Sequence, residues 1–319
     1  MKFRRKLGPY ADSARLRFRK PNPARRWLDR WRIAADSGLH QIANTVACCL
    51  RPQRSEILQG HQEIAVHKIV VPLKRVLDHN LKVRILPDAQ GLDLAGQKMA
   101  MNPFDEVALE EAIRLRERGL SCEVVAVSCG VVDAHDVLRQ ALALGADRAV
   151  LLESKAVLQP LAIARVLKAF VEREAASLVL CGKQAIDDDS AQVGPMLAAM
   201  LGWPQACFAT EISVVDGHAH VTSAIDGGEE VLQLQLPAVI TAELHLNTPR
   251  FASLLNVMKA RRAAIETVAA ESLALDLVPR LEVLGYQMPP PRPAGNRLHA
   301  TDALIRELAE RGFLQRGSA

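Results

Sequence analysis

Short apolar runs alternate with amphipathic stretches along the chain from residue 67 onward. Continuous apolar runs predict buried strands at residues 68–73, 123–128, 149–152 and 177–181, and an alternating run predicts an edge strand at residues 82–86. Apolar residues at helical spacing predict helices at residues 104–118, 134–144, 161–174 and 196–201. Because strands that alternate with helices form a parallel sheet with right-handed crossovers, we predict a doubly wound, mostly parallel, Rossmann-like α/β fold.

The first predicted helix has recognisable start and stop signals. Asn102 is a residue type that caps helix N-termini, Pro103 suits the first helical position, and Gly119 suits the position after the last turn. We therefore expect the Asn102 side chain to cap this helix.

The second half of the chain adds a β-hairpin and then loses its regular pattern. Residues 221–225 and 230–236 predict two strands joined at residues 226–228 (DGG), and residues 237–242 (PAVITA) predict one more buried strand. After residue 243 only a last amphipathic helix, at residues 301–311, stands out. Since this tail has little continuous apolar surface, we expect an extended C-terminal arm that wraps a partner.

The first 66 residues differ in charge from the rest of the chain. They hold 14 Lys and Arg against 5 Asp and Glu, a net charge of +9, which leaves residues 67–319 near −5 in a chain whose net charge is +4. We interpret residues 1–66 as a basic, poorly ordered extension, although an Arg-rich, acid-poor start is also compatible with an organellar transit segment. The expected division is therefore residues 1–66, an α/β domain at 67–250, and a docking loop with its arm at 251–319.

Composition excludes several function classes. The chain is 49% hydrophobic and 24% charged, and no apolar stretch of about 18 residues suggests membrane insertion. Beyond residue 66 there is no basic stripe with interleaved aromatic residues, so we expect no nucleic-acid binding. The six cysteines form neither a disulfide framework nor a metal-ligand pattern, and they fit reduced thiols in a cytosol-like compartment.

Residues 182–194 (GKQAIDDDSAQVG) form the first candidate site. They leave the carboxyl end of a predicted strand and precede a predicted helix, which is where open α/β sheets bind nucleotides. Gly182 allows close approach of a ligand, and Asp189 or Ser190 can cap the helix whose free N–H groups suit a phosphate. Three consecutive aspartates oppose a plain phosphate cradle, because two of them must point away from the anion or toward a cation. A solvated, capped turn is the alternative interpretation.

Several motifs in one order resemble the beta subunit of the electron-transfer flavoprotein. They are VPLKRVLD at residues 71–78, MNPFDEVALEEAIRL at 101–115, AVSCG at 126–130, ALALGADRA at 141–149, GKQAIDDD at 182–189, GWPQA at 202–206, IDGG at 225–228, LPAVITAEL at 236–244 and PRFASLLNVMKA at 249–260. The resemblance covers residues 67–314, about four fifths of the chain.

The resemblance implies a fold of the adenine-nucleotide-binding type and a division of cofactors between two subunits. A larger alpha subunit would hold the redox-active FAD, and this chain would bind a structural AMP. The AMP-binding positions implied by the matching motifs are Pro72, Asn102, Pro103, Phe104, Asp105, Cys129, Gly182, Lys183, Gln184, Ala185, Ile186, Asp187, Asp188, Asp189, Ser190, Ala191, Gln192 and Val193. His79 stands where the family usually has Tyr near the flavin, which makes an edge contact with FAD a hypothesis and a surface histidine the alternative.

The resemblance also implies partners. Residues 251–259 resemble the family's recognition loop, in which an exposed leucine, matching Leu254, binds dehydrogenase partners with Met258 and Lys259 beside it. The competing interpretation is a helix face packed internally. Electrons would come from acyl-CoA and related dehydrogenases and pass to the electron-transfer flavoprotein quinone oxidoreductase. Ser223 and Ala224 replace an Arg-Glu pair that is typical of the family near the mobile flavin domain.

Two alternatives remain at the level of the sequence. Residues 191–195 (AQVGP) resemble the electron-bifurcating branch, in which a second FAD replaces AMP, but Asp188 stands where that branch generally has Gly. A free-standing ATP-binding α/β domain would need a Walker-type loop, which the sequence lacks. We therefore predict an electron carrier without acid–base chemistry of its own, in a bacterial cytoplasm or, if residues 1–66 are a transit segment, in the mitochondrial matrix.

Overall fold

The computed structural model of the chain describes residues 68–292 and 294–314, and the predictions made for residues 1–66 lie outside them. Its strands are β1 Lys68–Pro72, β2 Arg75–Leu77, β3 Met99–Met101, β4 Glu123–Gly130, β5 Arg148–Glu153, β6 Leu178–Gly182, β7 Gln205–Val215, β8 His218–Ile225, β9 Gly228–Gln235, β10 Ala238–Ala242 and β11 Glu266–Ala269. Its helices are α1 Pro103–Glu117, α2 His135–Leu144, α3 Pro160–Glu174, α4 Val193–Leu201, α5 Leu254–Arg262 and α6 Thr301–Glu310.

Nine of the strands form one mixed sheet in the order β11-β5-β4-β1-β6-β10-β7-β8-β9. The strands from β11 to β7 are parallel, and the β8–β9 hairpin extends the sheet in antiparallel fashion. The chain builds outward from β1 to β4 and β5, then returns to add β6 on the other side of β1. This confirms the predicted doubly wound, mostly parallel fold with a β-hairpin.

Alternate residues of the central strands face two separate core layers. Ile69 and Val71 point into the layer that contains α1 and α2, whereas Val70 points into the layer that contains α3 and α4. Both faces of the sheet are therefore covered, which explains why its strands appear in the sequence as continuous apolar runs rather than as alternating ones.

The prediction of an edge strand at residues 82–86 is wrong. This segment contributes only an isolated bridge between Ile85 and Leu92, and Val83 is exposed. The backbone groups of Arg84 and Leu86 bond to Asp93 and Gly91 within the same loop. Alternation alone does not supply a partner strand, and the nearby antiparallel ribbon is formed by β2 and β3 instead.

Strand β7 serves two pairings and bends between them. It pairs with β10 up to Ala209 and with β8 from Ala209 onward, and the register shifts beside Phe208. Phe208 has a φ of 61°, which a bulky residue adopts only where the surrounding structure imposes it. Beyond the bend, Ile212 accepts a hydrogen bond from Arg118 at the end of α1. Ile212 of β7, Val221 of β8 and Leu234 of β9 all belong to the core layer that contains α1, so this end of the sheet packs against that layer.

No helix within residues 68–292 and 294–314 is long and apolar enough to cross a bilayer.

Candidate functional site

A cleft lies where the order of the sheet reverses. The chain leaves β1 for β4 on one side and later returns to β6 on the other, and ligands of open α/β sheets bind at the carboxyl ends of strands at such a switch point. The cleft contains about 680 Å³ of space, counting the solvent at its open mouth. It is lined by Pro72, Leu73, Lys74, Asp105, Val127, Cys129, Pro160, Ile163, Leu167, Cys181, Gly182, Lys183, Gln184, Ala185, Asp188, Ser190, Ala191, Gln192, Val193 and Gly194.

Gly182 allows β6 to approach the first turn of α1. A Cβ atom at this position would collide with Oδ1 of Asp105 and lie 2.7 Å from the Cβ of Phe104. Because neither neighbour is the free end of a flexible side chain, only glycine fits without a shift of α1. This explains physically why the predicted loop begins with glycine.

Asp105 is a buried carboxyl group at the cleft floor. It is 7% exposed and accepts a hydrogen bond of 2.7 Å from the backbone N–H of Lys74. Burial raises the pKa of Asp105 to about 7, although hydrogen bonds from Lys74, Asn102 and Gly182 oppose the shift. The negative charge that Asp105 adds to the cleft therefore changes with pH near neutrality.

Asn102 holds the loop after β6 and does not cap α1. Its side chain makes no capping bond to the helix that follows, so the predicted cap is wrong. Instead its Nδ2 donates to the carbonyl of Gln184 at 2.8 Å, and its Oδ1 accepts from the N–H of Ile186 at 3.2 Å. Asn102 is fully buried, so the amide serves the loop better than it would serve an exposed helix end.

Lys74 is the cation that accommodates two of the three aspartates. Its Nζ lies 2.7 Å from Oδ1 of Asp187 and 3.0 Å from Oδ2 of Asp188. Burial alone would lower the pKa of Lys74, but the two carboxylates raise it above its ordinary value. Burial would likewise raise the pKa of Asp188, yet the N–H of Ser190 and the Lys74 ammonium hold it below its ordinary value. The group is therefore ionised at neutral pH.

Lys183, the other lysine at the cleft, is also paired. Its Nζ lies 2.7 Å from Oε2 of Glu243, and it sits 5.0 Å from the ring centroid of Phe208 and 5.9 Å from that of Phe104. Two aromatic rings and a carboxylate surround the ammonium, so it is not a free counter-charge for a ligand.

The loop closes on itself before α4 begins. Asp188 accepts from the N–H and Oγ of Ser190, and Asp189 accepts from Nε2 of Gln184 at 2.9 Å. The N-cap of α4 is Gln192, without a side-chain capping bond, so the predicted cap by Asp189 or Ser190 is wrong. The carboxylates of Asp188 and Asp189 accept hydrogen bonds within the loop instead.

The first turn of α4 therefore faces the cleft with free donors. Val193 and Gly194 line the cleft, and in the described part of the chain no side chain accepts from their N–H groups. Uncapped N–H groups at a helix start are suited to an anion.

Part of the cleft wall is apolar. It includes Val127 from β4 and Ile163 and Leu167 from α3. Burial raises the pKa of the Cys129 thiol to about 12 and that of Cys181 above its ordinary value, so both thiols stay protonated at neutral pH. The cleft thus has one wall suited to a flat apolar ring and one end suited to an anion.

Most of the residues that were predicted to bind a nucleotide line this cleft. Those that line it are Pro72, Asp105, Cys129, Gly182, Lys183, Gln184, Ala185, Asp188, Ser190, Ala191, Gln192 and Val193. Those that do not are Asn102, Pro103, Phe104, Ile186, Asp187 and Asp189. His79 lies outside the cleft in an exposed turn, 3.9 Å from Asp78.

Sequence reasoning missed several lining residues, of which Lys74 is the most informative. It lies two residues beyond the end of β1, so its position after a buried parallel strand was a usable signal. Ile163 and Leu167 gave no such signal, because their helical spacing is the same for a cleft wall as for a core face.

A second feature is a segment held rigidly against α1. Arg250 bonds Glu110 through Nε at 2.8 Å and Glu117 through Nη1 at 2.6 Å, and Glu110 is 3% exposed. Arg114 donates to the carbonyl of Thr248 at 2.8 Å, and Asn247 donates to the carbonyl of Val107 at 3.1 Å. Residues 247–250 are therefore fixed before the exposed segment begins.

The segment beyond Arg250 presents an apolar face to solvent. Phe251 is 100% exposed, Leu254 76% and Met258 50%. Ser253 caps α5 by accepting from the N–H of Asn256, and Arg139 donates to the carbonyl of Ala260 at its end. Among the described residues the leucine face is not packed internally, contrary to the competing interpretation of an internal helix face.

Ser223 and Ala224, which replace the Arg-Glu pair of the family pattern, lie on β8. Ser223 is 3% exposed, and its Oγ has no hydrogen-bond partner among the described residues, while Ala224 is half-buried beside it. Neither residue can supply the charges that the family pattern has here.

Comparison with known proteins gives a consistent family match. A family model described as the electron transfer flavoprotein domain matches residues 91–273. The chain is 43% identical to the electron transfer flavoprotein subunit beta of Dictyostelium discoideum over 247 residues, which are 77% of this chain and 99% of that protein.

Bacterial and animal proteins match over a similar span. Identity is 46% to the protein of the same name from Bradyrhizobium diazoefficiens, over 76% of this chain and 97% of that protein. It is 45% to the protein of that name from Homo sapiens, over 77% of this chain and 98% of that protein.

Proposed function

The chain belongs to the family of electron transfer flavoprotein beta subunits, and from this we propose that it is one half of a heterodimeric electron carrier. Its role in electron transport follows from the family, and the name of the subunit implies an alpha-subunit partner. The single observation that carries the finer proposal is the cleft at the switch point, with its paired lysines and uncapped helix start.

We propose that this cleft binds AMP as a structural group. The apolar wall of Val127, Ile163 and Leu167 fits an adenine ring, and the N–H groups of Val193 and Gly194 fit a phosphate. Cleft-lining Gly182 supports the fit, because a side chain there would displace α1. The remaining predicted residues would act indirectly, as Asn102 does when it holds the Gln184 carbonyl.

The flavin belongs to the alpha subunit in this proposal. When bound there, FAD supplies the redox chemistry, and this chain contributes scaffold, adenylate site and docking surface without acid–base chemistry of its own. An edge contact from His79 remains a proposal, which its exposed side chain permits.

We further propose that α5 docks acyl-CoA and related dehydrogenases through Leu254, with Met258 and Lys259 beside it, and that the carrier passes its electrons to a quinone oxidoreductase. Exposed apolar residues with basic neighbours match the anatomy of a docking surface. The Leu254→Ala variant should lower the rate of reduction by an acyl-CoA dehydrogenase at least tenfold. Val157→Ala, which shortens another exposed apolar side chain, is the control, and equal rates for the two variants would contradict the docking role.

Cofactor stoichiometry tests the cleft assignment. The chain co-expressed with its alpha subunit should release one FAD and one AMP per heterodimer on denaturation. Two FAD and no AMP would indicate the bifurcating alternative instead, and a colourless protein that hydrolyses ATP would indicate a free-standing ATP-binding domain. The Lys74 contact to Asp188 argues for AMP, because it keeps the loop closed where a second flavin would need room.

The domain division and the location in the cell follow as proposals. We propose an α/β domain at residues 67–250, and at 251–319 an arm that packs on the alpha subunit and returns β11 to the edge of the sheet. Residues 1–66 would be either an extension in front of the α/β domain of a bacterial cytoplasmic protein or a mitochondrial transit segment. Mass spectrometry of the native N-terminus distinguishes the two, since a mature start near residue 66 supports processing and an intact Met1 opposes it.

A further inference from the structure

An arginine on α2 holds the last turn of the exposed helix α5. Nη1 of Arg139 donates to the carbonyl of Ala260 at 3.0 Å and to that of Arg261 at 3.1 Å, and it lies 3.4 Å from the carbonyl of Ala263. The last carbonyls of a helix have no partner within the helix, and a positive charge is favourable at this end. Arg139 therefore satisfies several acceptors of α5 at once.

The support on which Arg139 stands is itself fixed. Helix α2 is anchored in the core through Val137 and Leu138, the two residues before Arg139. Within residues 68–292 and 294–314 the half-buried guanidinium donates only to the backbone carbonyls at the end of α5. Its hydrogen bonds therefore serve the position of that helix.

Helix α5 has few other attachments of its own. Of its nine residues only Ala260 is buried, and Ser253, which caps its start, is exposed. Before the helix, Arg250 ties the chain to Glu110 of α1. The segment is thus attached at both ends and open to solvent between them. A segment that is ordered before binding loses less conformational entropy when a partner docks, so both attachments favour affinity.

We propose that Arg139 is a positioning residue for partner docking, which holds the last turn of α5 so that Leu254 and Met258 face an incoming dehydrogenase in one fixed orientation. The inference rests on the proposed docking function of α5. Arg139 acts through the helix and not through contact with the partner.

The test measures reduction of the flavin-loaded heterodimer by an acyl-CoA dehydrogenase while the heterodimer concentration is varied. Arg139→Met keeps a long side chain but removes its donors. It should raise the KM for the heterodimer about fivefold or more and leave kcat within about twofold, because a loosened α5 weakens docking but not the transfer that follows it. Arg139→Lys can reach fewer carbonyls, so its KM should lie between those of wild type and Arg139→Met.

Arg116→Met is the matched control. Arg116 also donates to a carbonyl at a helix end, that of Gly145 at 2.9 Å after α2, and it pairs with Asp147 rather than with α5. Its KM should equal that of the wild type. Flavin absorbance reports assembly of each variant. If Arg139→Met fails to assemble, Arg139→Lys replaces it, with an expected KM about twofold or more above wild type.

The outcomes separate the two proposals. If Leu254→Ala leaves reduction unchanged, the proposed docking function fails. If Leu254→Ala slows reduction but the rise in KM is absent from the Arg139 variants, or kcat falls as much as KM rises, the docking function stands and the positioning role is overturned. An equal rise in KM for Arg139→Met and Arg116→Met would also overturn it, since the effect would then reflect a general loss of stability.

Discussion

Asp105 and Asp78 are two nearly buried carboxyl groups whose environments act in opposite directions. Asp105 lies against apolar surroundings and backbone donors, and burial raises its pKa from an ordinary value of 3.8 to about 7. Asp78 instead lies 2.7 Å from the Lys98 ammonium, which, with the N–H and side chain of Asn80, holds its pKa well below the ordinary value. Asp105 and Asp78 therefore allow a direct comparison of how desolvation and ion pairing each shift the pKa of a carboxyl group.

The Asp105→Asn variant should remove a pH dependence of stability. Because the folded pKa is raised, the stabilising contribution of Asp105 is complete below pH 3.8 and is lost as the pH rises through 7. From pH 5 to 7 the wild type should therefore lose about 1.4 kcal/mol per pH unit relative to the variant, measured by urea unfolding without added nucleotide.

Asp78→Asn is the control for this measurement. Its lowered pKa gives a contribution that is complete above pH 3.8 and is lost only as the pH falls. The difference between wild type and Asp78→Asn should therefore stay constant between pH 5 and 8. A flat difference for Asp105→Asn as well would contradict the raised pKa.

Ala175 is a residue in the left-handed region at the end of α3. Its φ is 50°, a conformation that costs an L-residue about 1 kcal/mol and that glycine adopts freely. Ala175→Gly should raise the free energy of unfolding by about 1 kcal/mol. Ala176→Gly, which empties a buried position beside it, should lower that free energy instead, and a loss of stability in both variants would show that Ala175 is unstrained.

At this scale the sequence could predict which residues lie near the cleft but not the bonds that they make. Gly182 and the aspartates were recognisable from their place between a strand and a helix. The partner of the aspartates was not, because Lys74 lies 113 residues from Asp187 along the chain. Asn102 was misassigned as a cap since the competing acceptors and donors, at Gln184 and Ile186, come from a distant loop.

Helix α1 is the element that connects the cleft with residues 251–262, the exposed segment that we propose docks dehydrogenases and here call the docking segment. Its first turn carries Asp105 at the cleft, and its middle carries Glu110, which binds Arg250. Arg250 donates paired hydrogen bonds to Glu110 from one edge of its planar guanidinium and to Glu117 from another edge, a geometry that an ammonium group cannot reproduce.

Arg250→Lys should therefore loosen the docking segment without unfolding the sheet. Hydrogen exchange of residues 251–262 should speed up at least fivefold, while exchange in β1 and β6 stays unchanged. Arg311→Lys, in an exposed pair with Glu307 on α6, is the control and should leave residues 251–262 unaffected. Unchanged exchange in Arg250→Lys would show that the segment is held by other contacts.

At the scale of elements, the sequence predicted what continuous apolar runs encode and missed what depends on a partner. The parallel core strands and all four flanking helices were recognisable, because each carries its own burial pattern. Strands β7 and β11 were missed: β7 is half exposed and bends at Phe208, and β11 is exposed except at Val268. Their pairing comes from neighbouring strands and not from their own apolar residues.

On the scale of the whole molecule, the arm after β11 leaves several large apolar side chains exposed. Leu281 is 70% exposed and Leu284 82%, whereas Leu275 and Leu277 pack against the core and Gln159 donates to the carbonyl of Leu281. Exposed apolar residues of this size would suit an interface. That the arm wraps a partner stays a prediction.

Addition of the alpha subunit should protect the arm selectively. Hydrogen exchange of residues 278–290 should slow at least tenfold in the heterodimer relative to the isolated chain. The α5 segment, which we assign to dehydrogenases, should stay as fast as before and slow only when a dehydrogenase is added. Protection of both regions by the alpha subunit alone would contradict the assignment of two separate surfaces.

The shared helix α1 bears on why a redox-inert nucleotide would persist in an electron carrier. The helix has 15 residues and is about 22 Å long. It carries Asp105 of the proposed adenylate cleft in its first turn, and further along it carries Glu110 and Glu117, which hold Arg250 at the start of the proposed docking surface. A shift of the cleft lining would then also move the proposed docking surface. Selection for productive contacts with dehydrogenases would thereby preserve a nucleotide that takes no part in electron transfer.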